Sequence, residues 1–303
     1  IFRFPENWSM YYKETIRQMY DIGVGSLMIV FVVNAFIACL MIGPLLGLLG
    51  TLVVVKRLAF LSEAVGHSAL TGVSIGILMG EPVTEPWISL FAFSVLFALT
   101  LQWVRGRTTV PYDALIGVFL AFALALGAAL LMFVAKKINA HLVEQVLFGS
   151  ILTASAYDLV ILAIITSVVL VLAFFSANEA YLNALSPDIA RSRRIRTTLH
   201  DYGFVLLIAL VTVAAVKIIG AILVGALLLI PAASARLMAR DLRGMVGYSV
   251  LIATTSALIG VVLPMYMKWA IGTGPAIILV ACVWFVIAIS VYSLRKEGQP
   301  ACV

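Results

Sequence analysis

The stretch Val55–Gly80, VKRLAFLSEAVGHSALTGVSIGILMG, decides how the rest of the chain is read. Beyond its charged entry it is apolar enough to cross a membrane, yet it carries Glu63 and His67. No other expected span holds a histidine. The spacing is i, i+4, so on a helix both side chains share a face about one turn apart. Thr71 and Ser74 fall near the same line, and Gly72 and Gly76 on the opposite side. One face is a ladder of oxygen and nitrogen atoms, and the other is smooth enough to admit a close neighbour. An ionisable side chain at the centre of a spanning helix costs about 2.5–3.5 kcal/mol on insertion scales, so it turns toward a partner or a wet cavity. A carboxylate and an imidazole one turn apart can grip a divalent transition metal. The same two groups can also bond each other and lock helix packing, and the pattern leaves both readings open.

Working outward, 63% of the 303 residues are hydrophobic and only 11% charged. Soluble domains average about 45–50% apolar and about 25% charged. The composition defines an all-α fold, a polytopic transmembrane helical bundle. No long polar linker divides it, so one membrane domain is expected, embedded in a lipid bilayer. The three cysteines, Cys39, Cys282 and Cys302, have no CxxC spacing and indicate neither a zinc site nor a disulfide framework. The net charge of +6 is explained by membrane orientation. No basic run is interleaved with aromatics as nucleic-acid binding needs. The stretch from Arg3 to Asp21 is too polar for the core of a signal peptide.

Along the chain, residues 1–22 read either as an N-terminal amphipathic, interfacial segment, helical over 6–22 with Trp8, Tyr11, Tyr12 and Tyr20 suited to the headgroup level, or as a disordered tail. A single transmembrane domain follows over 23–296, with a tail at 297–303. About nine spans (eight to ten) are expected, near 30–54 (with a kink at Pro44), 58–79, 87–104, 112–135, 151–175, 203–219, 221–238, 246–267 and 274–294. Residues 138–149, with His141 and Glu144, are too short and polar to cross. The loop bearing Glu81 and Glu85 offers acidic groups that could greet a cation, and Asp158 lies inside the fifth span. The longest polar stretch is 177–202, with four arginines at 191, 193, 194 and 196. Placing it in the cytoplasm puts most of the 20 lysines and arginines on that side and the C-terminus inside, with Lys136 and Lys137 running against the bias.

Some chemistry is missing. There is no G-x-x-x-x-G-K-[ST] phosphate loop, no H-E-x-x-H and no G-x-S-x-G. The chain is therefore not expected to bind ATP by that device, and an intramembrane enzyme stays open but has no second catalytic constellation to support it. The arginine stretch is either a positive-inside anchor or a docking surface. A short helix opening at Ser186–Pro187 would suit docking, since proline is favoured at the first helical position.

Several motifs together resemble the metal-transporting ABC permeases, the family that imports zinc, manganese or iron. Glu63-Ala-Val-Gly-His67-Ser-Ala-Leu70 is similar to its acidic-Ala-x-x-His-x-x-Leu signature. Asp113–Gly117, Leu147–Leu152, Ser186-Pro187-Asp188-x-Ala190, Gly220–Ala235 and Gly272–Ile277 continue the match in order. The resemblance spans about residues 30–293 and implies a type II ABC importer-like bundle acting as a homodimer. It implies Glu63 and His67 as contacts for a transported zinc, manganese or iron ion, with no tightly bound cofactor. Ser186, Pro187, Asp188, Ala190, Arg191 and Arg194 would form the segment that couples to a cytoplasmic ATP-binding cassette subunit, where ATP is bound. An extracytoplasmic metal-binding receptor would deliver the ion, at the cytoplasmic (inner) membrane of a bacterium. Thr71, Ser74 and Asn34 are further ligand candidates by helical position, and Pro231 is a hinge candidate because it removes an i→i−4 hydrogen bond. The sequence departs from the family in three places. Arg194 stands where a glycine is usual, Thr71 where a proline often follows, and Glu63 replaces the commoner aspartate. Two rival readings are an ABC permease for a metal chelate, such as a siderophore or corrin, and a proton-coupled carrier in which Glu63 and Asp158 relay protons. A non-transporting membrane subunit is the third.

Overall fold

In hydrocarbon no water is present to bond a peptide group, so every spanning segment must satisfy its backbone internally. The chain answers with helices throughout. A computed structural model describes residues 8–82, 87–134, 151, 155–267 and 272–297. Among these residues there are ten helices and no strand. They are α1 (Trp8–Val55), α2 (Leu61–Met79), α3 (Trp87–Arg105), α4 (Tyr112–Val134), α5 (Ala156–Leu185), α6 (Pro187–Ser192), α7 (Thr197–Ile219), α8 (Ala221–Met238), α9 (Leu242–Met267) and α10 (Thr273–Glu297). The stretch 138–149 lies outside the described residues.

Eight of these helices are long and apolar enough to cross a membrane, within the eight to ten spans expected. The helix that falls short is α2, because Glu63, His67 and its serines lower its hydropathy. It is held in place by its neighbours, packing on α3, α4, α7 and α8. Two boundaries also differ. The N-terminal amphipathic segment is not a separate helix, because α1 runs unbroken from Trp8 through Pro44 to Val55. The fifth span continues past residue 175 to Leu185, because Ala177–Leu185 is polar but rich in helix-forming Ala, Glu and Leu.

The most enclosed span is α7, with 67% of its apolar window buried, against 17% for α10 at the periphery. Its last residue meets α8 across Gly220 alone, whose φ of 87° belongs to glycine. α1 packs on α9, α8 and α5. Lipid tails are as apolar as leucine, so helices associate by close contact and interhelical hydrogen bonds. Gly47 and Gly50 of α1 supply the first, lying against the backbones of α9 and α8. Ser249 supplies the second, its hydroxyl donating to the Gly47 carbonyl at 2.7 Å.

A β-carbon at position 47 would stand 2.8 Å from Val250 Cα and 2.9 Å from the Ser249 carbonyl oxygen. Both are backbone atoms, so two helices would have to move. Gly47→Ala is expected to cost about 1–3 kcal/mol. Gly203→Ala, with no heavy atom within 4 Å of the new methyl, should be neutral or stabilising by up to about 1 kcal/mol. Melting of the two purified variants in detergent checks this, and equal melting temperatures would refute the close approach.

Candidate functional site

Glu63 sits in the first turn of α2 and His67 one turn further on. The opposite face behaves as its glycines suggest. A β-carbon on Gly72 would be 3.0 Å from Leu90 Cα, so α3 lies directly against it. Gly66 faces Val216 and Ala221. Glu63 is exposed and makes no hydrogen bond or ion pair with a described residue. His67 is half-buried, and its Nδ1 is enclosed without a hydrogen-bond partner among the described residues. The pair is therefore not locked by a direct Glu63–His67 hydrogen bond.

The other ligand candidates are placed differently. The Thr71 hydroxyl is fully buried and donates to the Ala123 carbonyl of α4 at 3.0 Å. The Ser74 hydroxyl donates to Leu70 in its own helix at 2.9 Å. The Thr71 bond ties α2 to α4 and the Ser74 bond stays within α2, each giving a buried hydroxyl the partner it needs. Asn34 lies on α1 about 21 residues from the end that leads into α2, or about 32 Å along a helix. The structure thus brings Glu63 and His67 together and leaves Asn34 at another depth. Among the described residues no group of three or more His, Cys, Asp or Glu side chains is arranged to hold a metal.

Several other acids are already paired. Asp158 caps α5 in a capping box with Ser155, and its Oδ1 pairs with Lys217 at 3.0 Å. Lys217 also lies 3.7 Å from the centroid of the Trp87 ring. Glu81, read from sequence as a loop acid that could greet a cation, accepts from the Ser89 amide at 3.2 Å and the Ser89 hydroxyl at 2.7 Å, tying the loop to the start of α3. His200 contacts Glu179 at 2.9 Å. At the opposite end of the bundle from Asp158, Lys56 pairs with Asp201 at 2.5 Å. Sequence reading passed over this last pair. Lys56 reads as the stop of a span and Asp201 as part of a polar stretch, and nothing in either pattern names the other.

The segment from Ser186 to Arg194 forms the short helix α6 with Pro187 at its first position. Ala190 is buried, and Ile189, Asp188 and Arg191 are exposed. Asp188 and Arg191 are 3.8 Å apart on that surface. Arg194 closes the turn with φ +60°, the left-handed region. That conformation explains why a glycine suits the position. Pro231 is buried inside α8, which continues through it.

A family model described as "ABC 3 transport family" matches residues 28–292. The chain belongs to this family of membrane permeases. Three curated relatives cover nearly the whole of it. A probable iron transport system membrane protein of Haemophilus influenzae is 27% identical over 91% of this chain and 99% of its own length. A high-affinity zinc uptake system membrane protein of the same organism is 27% identical over 80% of this chain and 90% of its own. A manganese transport system membrane protein of Listeria monocytogenes is 28% identical over 85% and 89%. Among solved structures, PsaBC from Streptococcus pneumoniae in complex with Fab superposes with a TM-score of 0.74 at 25% identity, covering 86% of this chain and 91% of that one.

A left-handed conformation costs a non-glycine residue about 1–2 kcal/mol. Arg194→Gly is therefore expected to raise stability by about 1 kcal/mol, less the entropy that glycine loses on folding. Thermal melting of the purified protein reads the change. A lower melting temperature for Arg194→Gly would mean that the guanidinium contributes more than the strained backbone costs.

Proposed function

We propose that the chain is the permease subunit of an ATP-driven importer that moves a divalent transition metal, zinc, manganese or ferrous iron, across the cytoplasmic membrane of a bacterium. The observation that carries this reading is the uncommitted state of Glu63 and His67. Glu81, Asp158, Asp201 and Glu179 each have a partner, whereas among the described residues exposed Glu63 has none and the enclosed His67 Nδ1 has none. Ionisable groups inside a membrane domain are expensive, and ones left without a partner are available to a cargo. The family membership and the iron, zinc and manganese relatives point the same way.

One chain supplies one carboxylate and one imidazole, too few to strip a hydrated cation. A second copy facing the first would bring the set to two of each. Mixed oxygen and nitrogen donors suit zinc, manganese or ferrous iron, with intrinsic affinity favouring zinc over manganese. Binding stays moderate, because an ion held too tightly does not leave. In this reading α6 and the C-terminus face the cytoplasm, where α6 meets a separate ATP-binding cassette subunit. An extracytoplasmic metal-binding receptor delivers the ion at the other end. The proton-carrier alternative loses support from Asp158, whose carboxylate is already shared by a helix cap and Lys217.

The test is metal uptake by vesicles holding the permease with its ATP-binding subunit. Glu63→Gln keeps the size of the side chain and removes its charge, and is expected to lower uptake at least about tenfold, the equivalent of 1.4 kcal/mol. Assembly with the ATP-binding subunit should be unchanged. Uptake equal to that of the parent protein would sink the role of Glu63. Uptake of a chelated metal but not of the free ion would establish the chelate reading in its place.

A further inference from the structure

The end of the bundle that carries α6 holds charged and polar side chains that the metal reading does not use. Lys56, one residue beyond α1, reaches Asp201 of α7 with Nζ–Oδ1 at 2.5 Å, and the two side chains are only 10% and 26% exposed. The same Asp201 oxygen accepts from Asn183 Nδ2 at 3.0 Å, and Asn183 is buried in the last turn of α5. The Lys56 ammonium lies 4.7 Å from the centroid of the Phe204 ring. Beside it, Thr51 Oγ1 and the Tyr181 hydroxyl are 2.5 Å apart, joining α1 to α5 again. The helices on either side of α6 therefore both grip the end of α1.

Between that grip and α2 there is little slack. Residues 56–60 are folded into a tight connection by the left-handed Arg57, at φ +57°. The Lys56 and Leu58 amides bond back to Leu52 and Val53, both at 2.9 Å, and the Leu61 amide bonds to Leu58 at 3.0 Å. Glu63 follows within one turn. A displacement of Lys56 is thus passed to the first turn of α2. Elsewhere α2 meets α7 and α8 through smooth contacts, such as Gly66 against Val216 and Ala221, which can slide. A mostly enclosed ion pair resists sliding, because separating it leaves an uncompensated charge.

We propose that the Lys56–Asp201 pair is the link through which movement of α6 reaches α2, a positioning pair that acts through Glu63 and His67 without touching the cargo. It rests on the reading of α6 as the contact for an ATP-binding subunit.

The experiment uses the permease assembled with that subunit and a readout that involves no cargo. Phe60, exposed in the connection before α2, is replaced by cysteine in a Cys282→Ser/Cys302→Ser background, leaving the buried Cys39. Maleimide labelling is followed with and without a non-hydrolysable ATP analogue. With the pair intact, nucleotide should change the labelling rate by about threefold or more, within the range of measured pair couplings. Lys56→Gln and Asp201→Asn should each abolish that response while ATP hydrolysis stays within about twofold of the parent. The reversed pair, Lys56→Asp with Asp201→Lys, should restore the response, which a variant that merely misfolds would not do. A nucleotide response that persists in the single variants, is not restored by the reversal, or is absent with the pair intact overturns the link. Parallel metal uptake separates the two readings. A parent protein that responds to nucleotide but imports no metal sinks the metal reading alone, and one that imports metal with the response unaffected by either single variant sinks the link alone.

Discussion

Every helix here has spent its backbone hydrogen bonds on itself, so side chains alone decide which helix touches which. In water, apolar burial would draw the helices together. In lipid it does not, and the bundle depends on how closely two backbones can approach. Gly47 and Gly50 set that approach for α1 on α9 and α8, and Gly72 sets it for α2 on α3. The helices that such contacts hold need not be apolar enough to insert unaided. α2 is the example, a helix whose polar content is tolerated because its neighbours enclose it.

That tolerance shows where polar groups go once a bundle is closed. Thr71 and Ser74 were grouped with Glu63 and His67 by helical position, and the structure separates them by use. A hydroxyl can return to a carbonyl on its own helix or the next one, and both do so. The Glu63 carboxylate and the His67 Nδ1 take no such outlet among the described residues. The division follows from side-chain reach and hydrogen-bonding capacity more than from angle on a helical wheel.

The sequence made the order of most spans legible because hydropathy specifies all of them but α2. The turns at Gly80 and Gly220 and the helix start at Pro187 were readable from residue type. Where reading fell short, the cause was a polar helix or a long separation. Ala177–Leu185 looked like loop because it is polar, yet its residues favour helix. The Glu63–His67 pair was visible because both lie on one helix. Lys56 and Asp201 are 145 residues apart, and no local pattern joins them. Likewise Asp158 looked like a solitary acid in a span until α7 brought Lys217 to it. The left-handed backbone at Arg194 was foreshadowed only by the glycine that the family resemblance implies there.

The one-residue corner at Gly220 bears on how such chains can change length. α7 ends at Ile219 and α8 begins at Ala221, and the residue between them has a backbone angle that side chains resist. An added residue there would rotate all of α8 about its own axis by about 100° and turn Pro231 and the faces packed on α1 away from their partners. Insertions and deletions in related proteins should therefore gather in the looser connections and spare this vertex.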